Sequence, residues 1–266
     1  MAALTGRVLV IAGSDSGGGA GIQADIKTIT ALGAYASTAI TALTAQDTTG
    51  VHDVLPVPPA FVARQIEIVL DDIGADAIKT GMLGGDDTIE SIVNCLIRRT
   101  RIPLVLDPVM SAKGGTPLLA QGALAALTRR LLPLAALITP NLPEAEVLAG
   151  MPIHDLSAMR RAASGLLSLG VPAVLLKGGH LPGDLVVDIL ATKEGAEEFA
   201  ASRIASRHTH GTGCTLASGI AAGLAQNMSL RDAVQRARAY VRDAIASAPG
   251  FGSGHGPLNH AVTVCQ

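Results

Sequence analysis

A short glycine-rich turn that ends in a cysteine has the clearest capacity for chemistry in this sequence of 266 residues. It covers residues 209–215, reads T-H-G-T-G-C-T and leads into a helix-forming segment of small residues. Glycines let backbone N–H groups converge without Cβ atoms in the way, and the start of the next helix adds unpaired amides and the positive end of its dipole. Together these features predict an anion-binding site at Gly211, Thr212 and Gly213.

The cysteine of this turn lies where such a field would act on it. The positive end of a helix lowers the pKa of a thiol from its usual value of about 8.5, so we expect Cys214 to be an activated proton acceptor. An anion hole beside a proton acceptor is what phosphoryl transfer to an alcohol requires. The turn alone fits a second interpretation equally well, in which the glycines cap a helix and Cys214 is a small buried apolar residue.

Oxygen ligands and a lysine follow other apolar segments. Asp107 comes directly before a proline, which favours an extended backbone at the end of a strand. Asn141 and Glu144 are spaced N-x-x-E across a predicted helix start, and side-chain oxygens of this kind are the ligands that Mg²⁺ prefers. Lys177 leaves an apolar strand just before two glycines and is placed to meet phosphate oxygens. The structural alternatives are a turn residue for Asp107, a helix-dipole carboxylate for Glu144 and a snorkelling side chain for Lys177.

A second glycine-rich segment, residues 13–19, follows the first predicted strand and has two competing interpretations. Its glycines, beginning with Gly13, would let the backbone approach a small ligand, with Asp15 or Asp25 as a polar anchor. Residues 19–24 also match G-x-G-x-x-A, a dinucleotide fingerprint. That fingerprint needs an acidic residue about 20 positions on, whereas here Asp47 follows the second glycine by 26 positions and lies in a turn. The segment therefore favours a small ligand, and a flexible turn is the structural alternative.

These residues must be positioned by a sheet. Short aliphatic runs alternate with helical segments, the pattern of a parallel sheet with crossover helices. The predicted strands are Val8–Ala12, Tyr35–Leu43, Ala77–Lys79, Leu104–Leu106, Ala136–Thr139 and Ala173–Leu176. The predicted helices are Gly21–Leu32, Pro59–Asp72, Asp86–Arg98, Pro117–Leu131, Pro143–Ala149, Leu156–Leu169, Cys214–Gln226 and Leu230–Ala246. We also expect a late antiparallel hairpin of Leu185–Ala191 and Glu198–Ser206, and a short strand, Val51–Val57, outside the main sheet.

Polar residues and glycines follow the predicted strands of the sheet. The carboxyl ends of parallel strands form one edge of an open α/β sheet, and that edge carries the ligand site. Gln46 and Met82 follow the second and third strands and gain significance only from this shared edge, since alone they are an ordinary amide and a core methionine. The convergence of such segments favours a catalytic site over a capped helix with a buried thiol.

Composition narrows the classes of protein. Hydrophobic residues make up 48% of the chain and aromatic residues 2%, which indicates an aliphatic core of buried parallel strands. The net charge of -2 argues against a nucleic-acid partner, and no apolar run reaches the roughly 20 residues that span a membrane. The first residues lack the basic region of a secretory signal. Cys95, Cys214 and Cys265 are an odd, widely spaced set, which favours a reduced, cytoplasmic setting over a disulfide framework.

Five motifs together resemble the hydroxymethylpyrimidine/phosphomethylpyrimidine kinases of thiamine biosynthesis, members of the ribokinase-like superfamily. They are A-G-S-D-S-G-G-G-A-G-I-Q-A-D at residues 12–25, D-P-V-M at 107–110, I-T-P-N-L-P-E-A at 138–145, K-G-G-H at 177–180 and the turn at 209–215. The resemblance runs in order from Val8 to about His260. It implies one ribokinase-like α/β domain over residues 1–266, with a central, mostly parallel sheet between two helical layers. It also implies a small β-flap that assists formation of a homodimer, and no fused thiamine-phosphate synthase domain is expected.

The resemblance further implies a reaction that uses ATP and Mg²⁺. The substrate would be 4-amino-5-hydroxymethyl-2-methylpyrimidine, and then its monophosphate, which is converted to the diphosphate. Carried over by motif, Cys214 is the catalytic base, at a position where many ribokinase-like sugar kinases have aspartate, and Gly211, Thr212 and Gly213 form the anion hole. Lys177 would meet the ATP phosphates, with Asp107, Asn141 and Glu144 supporting Mg²⁺ and phosphate. The pyrimidine pocket would be lined by Gly13, Gln46, Met82 and Val109, with Asp25 as a further candidate and Gln46 hydrogen-bonded to the aminopyrimidine edge.

Three other functions stay open on the sequence. The first is a pyridoxal or pyridoxamine kinase, because members of this branch accept either ring, although Gln46 and Met82 favour the pyrimidine. The second is a small-molecule binding module without catalysis, against which Cys214, Lys177 and Asp107 argue. The third is an NAD-dependent oxidoreductase, which depends on the G-x-G-x-x-A match alone.

Overall fold

A computed structural model describes residues 4–112, 115–120 and 122–263 of the chain. The strands are β1 (Arg7–Asp15), β2 (Tyr35–Gln46), β3 (Val51–Pro56), β4 (Ala77–Thr80), β5 (Leu104–Leu106), β6 (Leu137–Ile138), β7 (Ala173–Leu176), β8 (Leu185–Thr192) and β9 (Gly195–Ser202). The α-helices are α1 (Gly21–Ala31), α2 (Pro59–Asp72), α3 (Asp86–Leu96), α4 (Ala123–Ala126), α5 (Leu142–Ala149), α6 (Leu156–Leu166), α7 (Thr212–Ala225) and α8 (Leu230–Ala246). Cys265 and the first three residues, on which the predictions of redox setting and of the N-terminus partly depended, lie outside the described residues.

The strands pair into one sheet in the order β3-β2-β1-β4-β5-β6-β7-β8-β9. Neighbouring strands along the series β2-β1-β4-β5-β6-β7 are parallel. At one side of the sheet β3 pairs antiparallel with β2, and at the other side β8 and β9 add antiparallel pairs. Crossover helices connect the parallel strands, as a parallel arrangement requires. The prediction of a central, mostly parallel sheet is confirmed.

Helices cover both faces of the sheet. In β1, Leu9 and Ile11 point into a core shared with α2 through α6, whereas Val8 and Val10 point into a core shared with α1, α7 and α8. All four side chains are fully buried. A strand buried on both faces reads as a continuous apolar run, which is why V-L-V-I shows no alternation in the sequence. The three-layer architecture therefore agrees with the predicted fold class.

The predicted short strand at Val51–Val57 belongs to the main sheet, so its placement outside the sheet is wrong. β3 pairs antiparallel with β2, with Gln46 opposite Val51 and Ala42 opposite Pro56. The physical reason is the length of β2, which continues to Gln46 instead of ending at Leu43. β3 therefore forms the edge strand of the sheet beside the last residues of β2, and these two strands are the candidate for the predicted β-flap.

The predicted helix from Pro117 to Leu131 is wrong in its first half. Pro117 forms an isolated bridge with Ser111, and α4 begins only at Ala123. Gly122 stands before that helix in a left-handed conformation with φ 100°, which ends any helix that approaches from the N-terminal side. The second half is helical, although Leu127–Leu131 forms a π-helical turn.

The late hairpin is present, but its turn is tighter than predicted. Thr192 pairs with Gly195, so two residues connect β8 to β9 where Thr192–Glu197 were expected to form the turn. Gly195 has φ 144°, a conformation that glycine adopts without strain. The second strand is consequently Gly195–Ser202 instead of Glu198–Ser206.

Candidate active site

A cavity of about 880 Å³ lies along the carboxyl ends of the parallel strands. It extends from the end of β1 to the start of α7 and is bounded at its far end by β8, β9 and α8. Predicted site residues that line it are Gly13, Gln46, Met82, Asp107, Val109, Asn141, Glu144, Lys177, Gly211, Thr212, Gly213 and Cys214. The expected edge of the sheet therefore brings together every predicted site residue except Asp25.

The turn before α7 has the geometry of an anion site. Gly211 precedes the helix with φ 83°, and a Cβ at this position would collide with the carbonyl of Gly19. Thr212 closes the turn through its hydroxyl, which donates to the carbonyl of Thr209 over 2.6 Å. The first helical hydrogen bond runs from Thr215 N–H to the Gly211 carbonyl, and Thr212 N–H donates to the Thr209 carbonyl over 3.5 Å. The N–H groups of Gly213 and Cys214 are therefore the donors of this helix start that have no acceptor within the helix.

Lys177 and Asp107 lie directly against this turn. The Lys177 Nζ is 2.9 Å from Asp107 Oδ1, and the same oxygen accepts a hydrogen bond of 2.9 Å from the Thr139 hydroxyl. A Cβ placed on Gly213 would lie 3.3 Å from the Lys177 Nζ and 3.5 Å from Asp107 Oδ2. Burial opposes the charge on Lys177, but the carboxylates of Asp107 and Glu144 outweigh it and raise the pKa of the lysine. The helix start thus faces a charged lysine and a carboxylate at close range.

Asn141 and Glu144 have a structural role as well as a place in the cavity wall. They form a capping box at the start of α5, in which Glu144 N–H donates to Asn141 Oδ1 and Asn141 N–H donates to Glu144 Oε2, over 2.9 and 2.8 Å. Burial raises the pKa of Glu144 to about 7, and Asp107 adds to this while Lys177 opposes it. The capping box agrees with the helix-dipole alternative, and the Met110 amide also hydrogen-bonds the Glu144 carboxylate. The ligand interpretation stays a prediction.

Cys214 lies in the cavity wall near the start of α7, but its chemistry differs from the prediction. Burial raises the pKa of the thiol to about 11, and the negative charges of Asp25 and Asp107 act in the same direction. Lys79 and a hydrogen bond from the Gly21 amide oppose that shift without overcoming it. The expected lowering of the pKa is therefore wrong, because removal from water outweighs the field of the helix.

The predicted pyrimidine-pocket residues line the same cavity. Gly13 and Met82 are in contact, since a Cβ on Gly13 would lie 3.0 Å from the Met82 sulfur. The Met82 carbonyl accepts a hydrogen bond from the Thr41 hydroxyl over 2.6 Å, which fixes this loop to β2. Val109 is half-buried and lines the cavity after β5. These residues offer apolar surface and close backbone approach, as a flat ring needs.

Asp25 does not line the cavity and its predicted direct contact with substrate is not supported by this placement. Its carboxylate is fully buried, and both oxygens accept from Lys79 Nζ over 2.9 Å. The Ser218 hydroxyl donates to the same carboxylate. Asp25 is therefore a residue of the floor beneath the site, because it sits within α1 one turn beyond the loop that reaches the cavity.

Asp188 and Lys79 support the site, but the sequence analysis assigned no role to either residue. Asp188 accepts hydrogen bonds from the Gly178 amide over 2.9 Å and from Arg238 Nε over 2.7 Å, and so holds the turn that follows Lys177. The available signal was an acidic residue inside the apolar run L-V-V-D-I-L of β8. Lys79 gave a similar signal as a charged residue in the buried strand β4.

No group of three or more His, Cys, Asp or Glu side chains within the described residues is arranged to hold a metal ion. None of the helices in that part of the chain is both long and apolar enough to cross a membrane.

A helix start that can bind an anion thus shares one cavity with a lysine–carboxylate pair and with residues that suit a small ring. On an α/β sheet of this topology, that arrangement defines a small-molecule kinase of the ribokinase-like class.

Comparison with known proteins identifies the family. Residues 15–259 match the family model of phosphomethylpyrimidine kinase, and the chain belongs to this family. It is 48% identical to the hydroxymethylpyrimidine/phosphomethylpyrimidine kinase of Streptomyces coelicolor over 95% of this chain and 93% of that one. It is also 54% identical, over 97% of its length, to the thiamine biosynthesis bifunctional protein of Geobacter sulfurreducens, but it spans about half (52%) of that protein.

Solved structures confirm the fold. An ADP complex of Bacillus subtilis pyridoxal kinase superposes with a TM-score of 0.91 at 35% identity, and the match covers 98% of this chain and 100% of that one. The match to an ADP-bound kinase agrees with the predicted use of ATP. It also keeps pyridoxal kinase as the alternative activity to be tested.

Proposed function

We propose that this chain transfers the γ-phosphoryl group of ATP to the hydroxymethyl oxygen of 4-amino-5-hydroxymethyl-2-methylpyrimidine, and then phosphorylates the resulting monophosphate to the diphosphate. Membership of the phosphomethylpyrimidine kinase family supports the reaction. The observation that carries the proposal is the position of Gly213, directly against Lys177 and Asp107 in the same cavity as Gln46 and Met82. The phosphate-binding and ring-binding groups therefore act on one bound substrate pair.

Electrostatic stabilisation would come from groups that are already in place. The transition state of phosphoryl transfer is loose and spreads negative charge over the transferred oxygens. The free N–H groups at the start of α7 and the ammonium of Lys177 would bind those oxygens without reorganisation. Asp107 keeps Lys177 extended toward the turn through their 2.9 Å contact. Phosphoryl transfer would be direct and in line, with no phosphoenzyme.

The donor set fits Mg²⁺. This ion usually binds through one or two carboxylates together with water and substrate phosphates, so a closed cage of protein ligands is not expected. Asp107 and Glu144 would hold it, each with a carboxylate oxygen beside the cavity, while Asn141 orients Glu144 through the capping box. When bound, the ion would neutralise phosphate charge and align the nucleotide.

Cys214 is proposed to accept the proton of the hydroxymethyl group. In a loose transition state the alcohol loses its proton late, so a strong base is not required early in the transfer. The raised pKa makes the thiolate a minor form in the free protein but a strong proton acceptor once formed. The hydrogen bond from the Gly21 amide stabilises that thiolate.

We further propose that the chain forms a homodimer through the flap of β2 and β3. Leu43 and Leu55 are opposite each other in β2 and β3 and are 45% and 65% exposed, which gives this edge of the sheet an apolar surface, and Phe61 at the start of α2 is 60% exposed. A cytoplasmic location is also proposed, because the reaction uses ATP and a free thiol at Cys214.

Phosphorylation of pyridoxal is a second candidate, and it is favoured by the structural match to the Bacillus subtilis enzyme. One experiment tests both candidates: purified protein with Mg²⁺ and ATP is offered hydroxymethylpyrimidine, its monophosphate or pyridoxal, and ADP release is followed. We expect turnover with the two pyrimidines at a higher kcat/KM than with pyridoxal. ADP release with pyridoxal alone would favour the second candidate, and release with none of the three would exclude the proposed kinase activities.

A further inference from the structure

The side-chain amide of Gln46 lies between two groups whose own hydrogen bonds are already determined. The amide atom assigned as Nε2 lies 3.3 Å from His210 Nε2, and the atom assigned as Oε1 lies 3.1 Å from the Thr44 hydroxyl oxygen. The nitrogen and oxygen of an amide have the same shape, so their orientation follows from the donors and acceptors around them. His210 and Thr44 together decide that orientation.

At one end of the amide, His210 must donate. Asp15 is buried, and its Oδ2 already accepts from the amides of Gly19 and Ala20 over 3.1 and 2.8 Å. His210 Nε2 lies 2.8 Å from the same oxygen. A carboxylate with these donors is ionised and can only accept, so the proton of this contact is on His210 Nε2 in either charge state of the ring. A protonated Nε2 has no lone pair to accept from the Gln46 NH₂ group, and its one hydrogen, bonded mainly to Asp15 at 2.8 Å, can be shared only with an acceptor at the Gln46 position 3.3 Å away, which must be the amide oxygen.

At the other end, Thr44 must accept. Its hydroxyl lies 2.9 Å from the backbone carbonyl of Ser14, which has no proton to give. The one hydroxyl hydrogen of Thr44 is therefore committed to Ser14, and only the oxygen lone pairs remain for Gln46. The amide atom beside Thr44 must then be the nitrogen. Both ends independently require the same orientation, with the amide reversed.

We propose that His210 and Thr44 are positioning residues that hold the Gln46 amide with its oxygen toward His210 and its nitrogen toward Thr44. One lone pair of the oxygen and one N–H then remain for a ligand in the cavity. This pair matches a ring nitrogen next to an exocyclic amine, the edge that glutamine reads in adenine. In the proposed substrate, the 4-amino group would lie on the His210 side and the adjacent ring nitrogen on the Thr44 side.

The inference, which rests on the proposed function, predicts discrimination against the 4-oxo analogue of the substrate. In its N3–H form that analogue carries a ring donor and an exocyclic acceptor, the reverse of the 4-amino pattern. It can pair with Gln46 only if the amide turns over, which would set the NH₂ group against the His210 proton. Loss of either flanking residue should allow this turn.

The test compares kcat/KM for 5-hydroxymethyl-2-methylpyrimidine carrying a 4-amino or a 4-oxo group. We expect the unmodified protein to prefer the 4-amino compound by about 10²-fold or more, since a mismatched site leaves buried polar groups unpaired. His210→Leu and Thr44→Val should reduce that preference at least about tenfold by improving use of the 4-oxo compound relative to the 4-amino compound. His210→Gln keeps a donor at the same position and Thr44→Ser keeps the hydroxyl, so both should retain the preference.

Each outcome separates this inference from the proposed function. If the unmodified protein phosphorylates neither compound, the proposed function fails. If it uses the 4-amino compound but His210→Leu and Thr44→Val lower both kcat/KM values by the same factor, the residues are structural supports and the positioning role is excluded. A weak preference in the unmodified protein would exclude it as well. Should His210→Leu not fold, the Thr44 pair decides the question alone.

Discussion

The ammonium of Lys79 lies 2.9 Å from both carboxylate oxygens of Asp25, and both side chains are completely buried beneath the cavity. Burial disfavours the charge on Lys79, but the carboxylate of Asp25 outweighs it and raises the pKa of the lysine. Asp25 belongs to α1, Lys79 to β4 and Ser218, which donates to Asp25, to α7. The ion pair therefore connects the three elements that support the anion-binding turn.

Removing one partner should cost more than removing both. Lys79→Met leaves Asp25 buried without its counter-charge, and we expect the free energy of unfolding to fall by about 3–5 kcal/mol. Replacing both residues, as Lys79→Met with Asp25→Leu, should recover much of that loss, because an apolar pair needs no mutual neutralisation. Urea unfolding of the two variants measures the difference. A single variant as stable as the unmodified protein would mean that the pair does not carry the charges assigned to it.

Gly213 offers a substitution that separates stability from activity. It lies within the first turn of α7, where alanine is favoured over glycine by up to about 1 kcal/mol. The added methyl would nevertheless stand 3.3 Å from the Lys177 Nζ and 3.5 Å from Asp107 Oδ2, in the space proposed for phosphate. We expect Gly213→Ala to keep its thermal midpoint while kcat/KM for ATP falls about 10²–10³-fold, the range for a disturbed oxyanion-type site.

Gly211→Ala provides the contrasting variant. Its φ of 83° and the collision of a new Cβ with the Gly19 carbonyl should both disturb the fold at this point. This variant should lose stability together with activity, whereas Gly213→Ala should lose activity alone. Equal thermal destabilisation of the two would show that Gly213 matters for the helix and not for phosphate.

The sequence was sufficient to place the site on the sheet. Apolar runs predicted β1, β5 and β7, and the residues after them, such as Asp107 and Lys177, lie together because parallel strands end at one edge. The start of α7 was also predictable, since glycines before a run of small residues indicate a helix start. These are local patterns whose outcome depends on neighbours in the chain.

Properties that depend on distant residues could not be predicted in the same way. The thiol of Cys214 titrates according to Asp25, Lys79 and Asp107, which are separated from it by more than a hundred residues, and according to the water that the fold removes. The role of His210 depends on Asp15 at the opposite end of the chain. The break before α4 depends on Gly122, whose left-handed conformation is one of several that glycine adopts freely.

Glu144 should make stability depend on pH in a direction opposite to that of most carboxylates. Burial raises its pKa to about 7 in the folded chain from an ordinary value of 4.5. Between these values the folded state keeps a proton that the unfolded state has lost, so stability falls as the pH rises through this window. Glu144→Gln should therefore raise the free energy of unfolding by about 1–3 kcal/mol at pH 8 and have little effect near pH 4.5.

Urea unfolding at the two pH values checks this prediction, with Glu67→Gln as the control. Glu67 is exposed on α2, and its contact with Arg64 at 3.9 Å is a surface pair of small effect. The control should change the free energy of unfolding little at either pH. A stabilisation by Glu144→Gln that is the same at pH 4.5 and pH 8 would exclude ionisation as its cause. The variant should also lose activity, since the carboxylate is proposed to hold Mg²⁺.

Cys214 gives the most direct test of the proton-transfer step. With a pKa of about 11, the thiolate increases with pH throughout the range in which the enzyme is assayed. Because kcat/KM reports the ionisation of the free enzyme, its value for the pyrimidine should rise from pH 7 to pH 9 without a plateau. Cys214→Ala should lower kcat by about 10²–10⁴ and remove this rise, while ADP binding stays nearly unchanged. A profile that is flat in the unmodified protein, or equally steep in the variant, would assign the proton acceptor to another group.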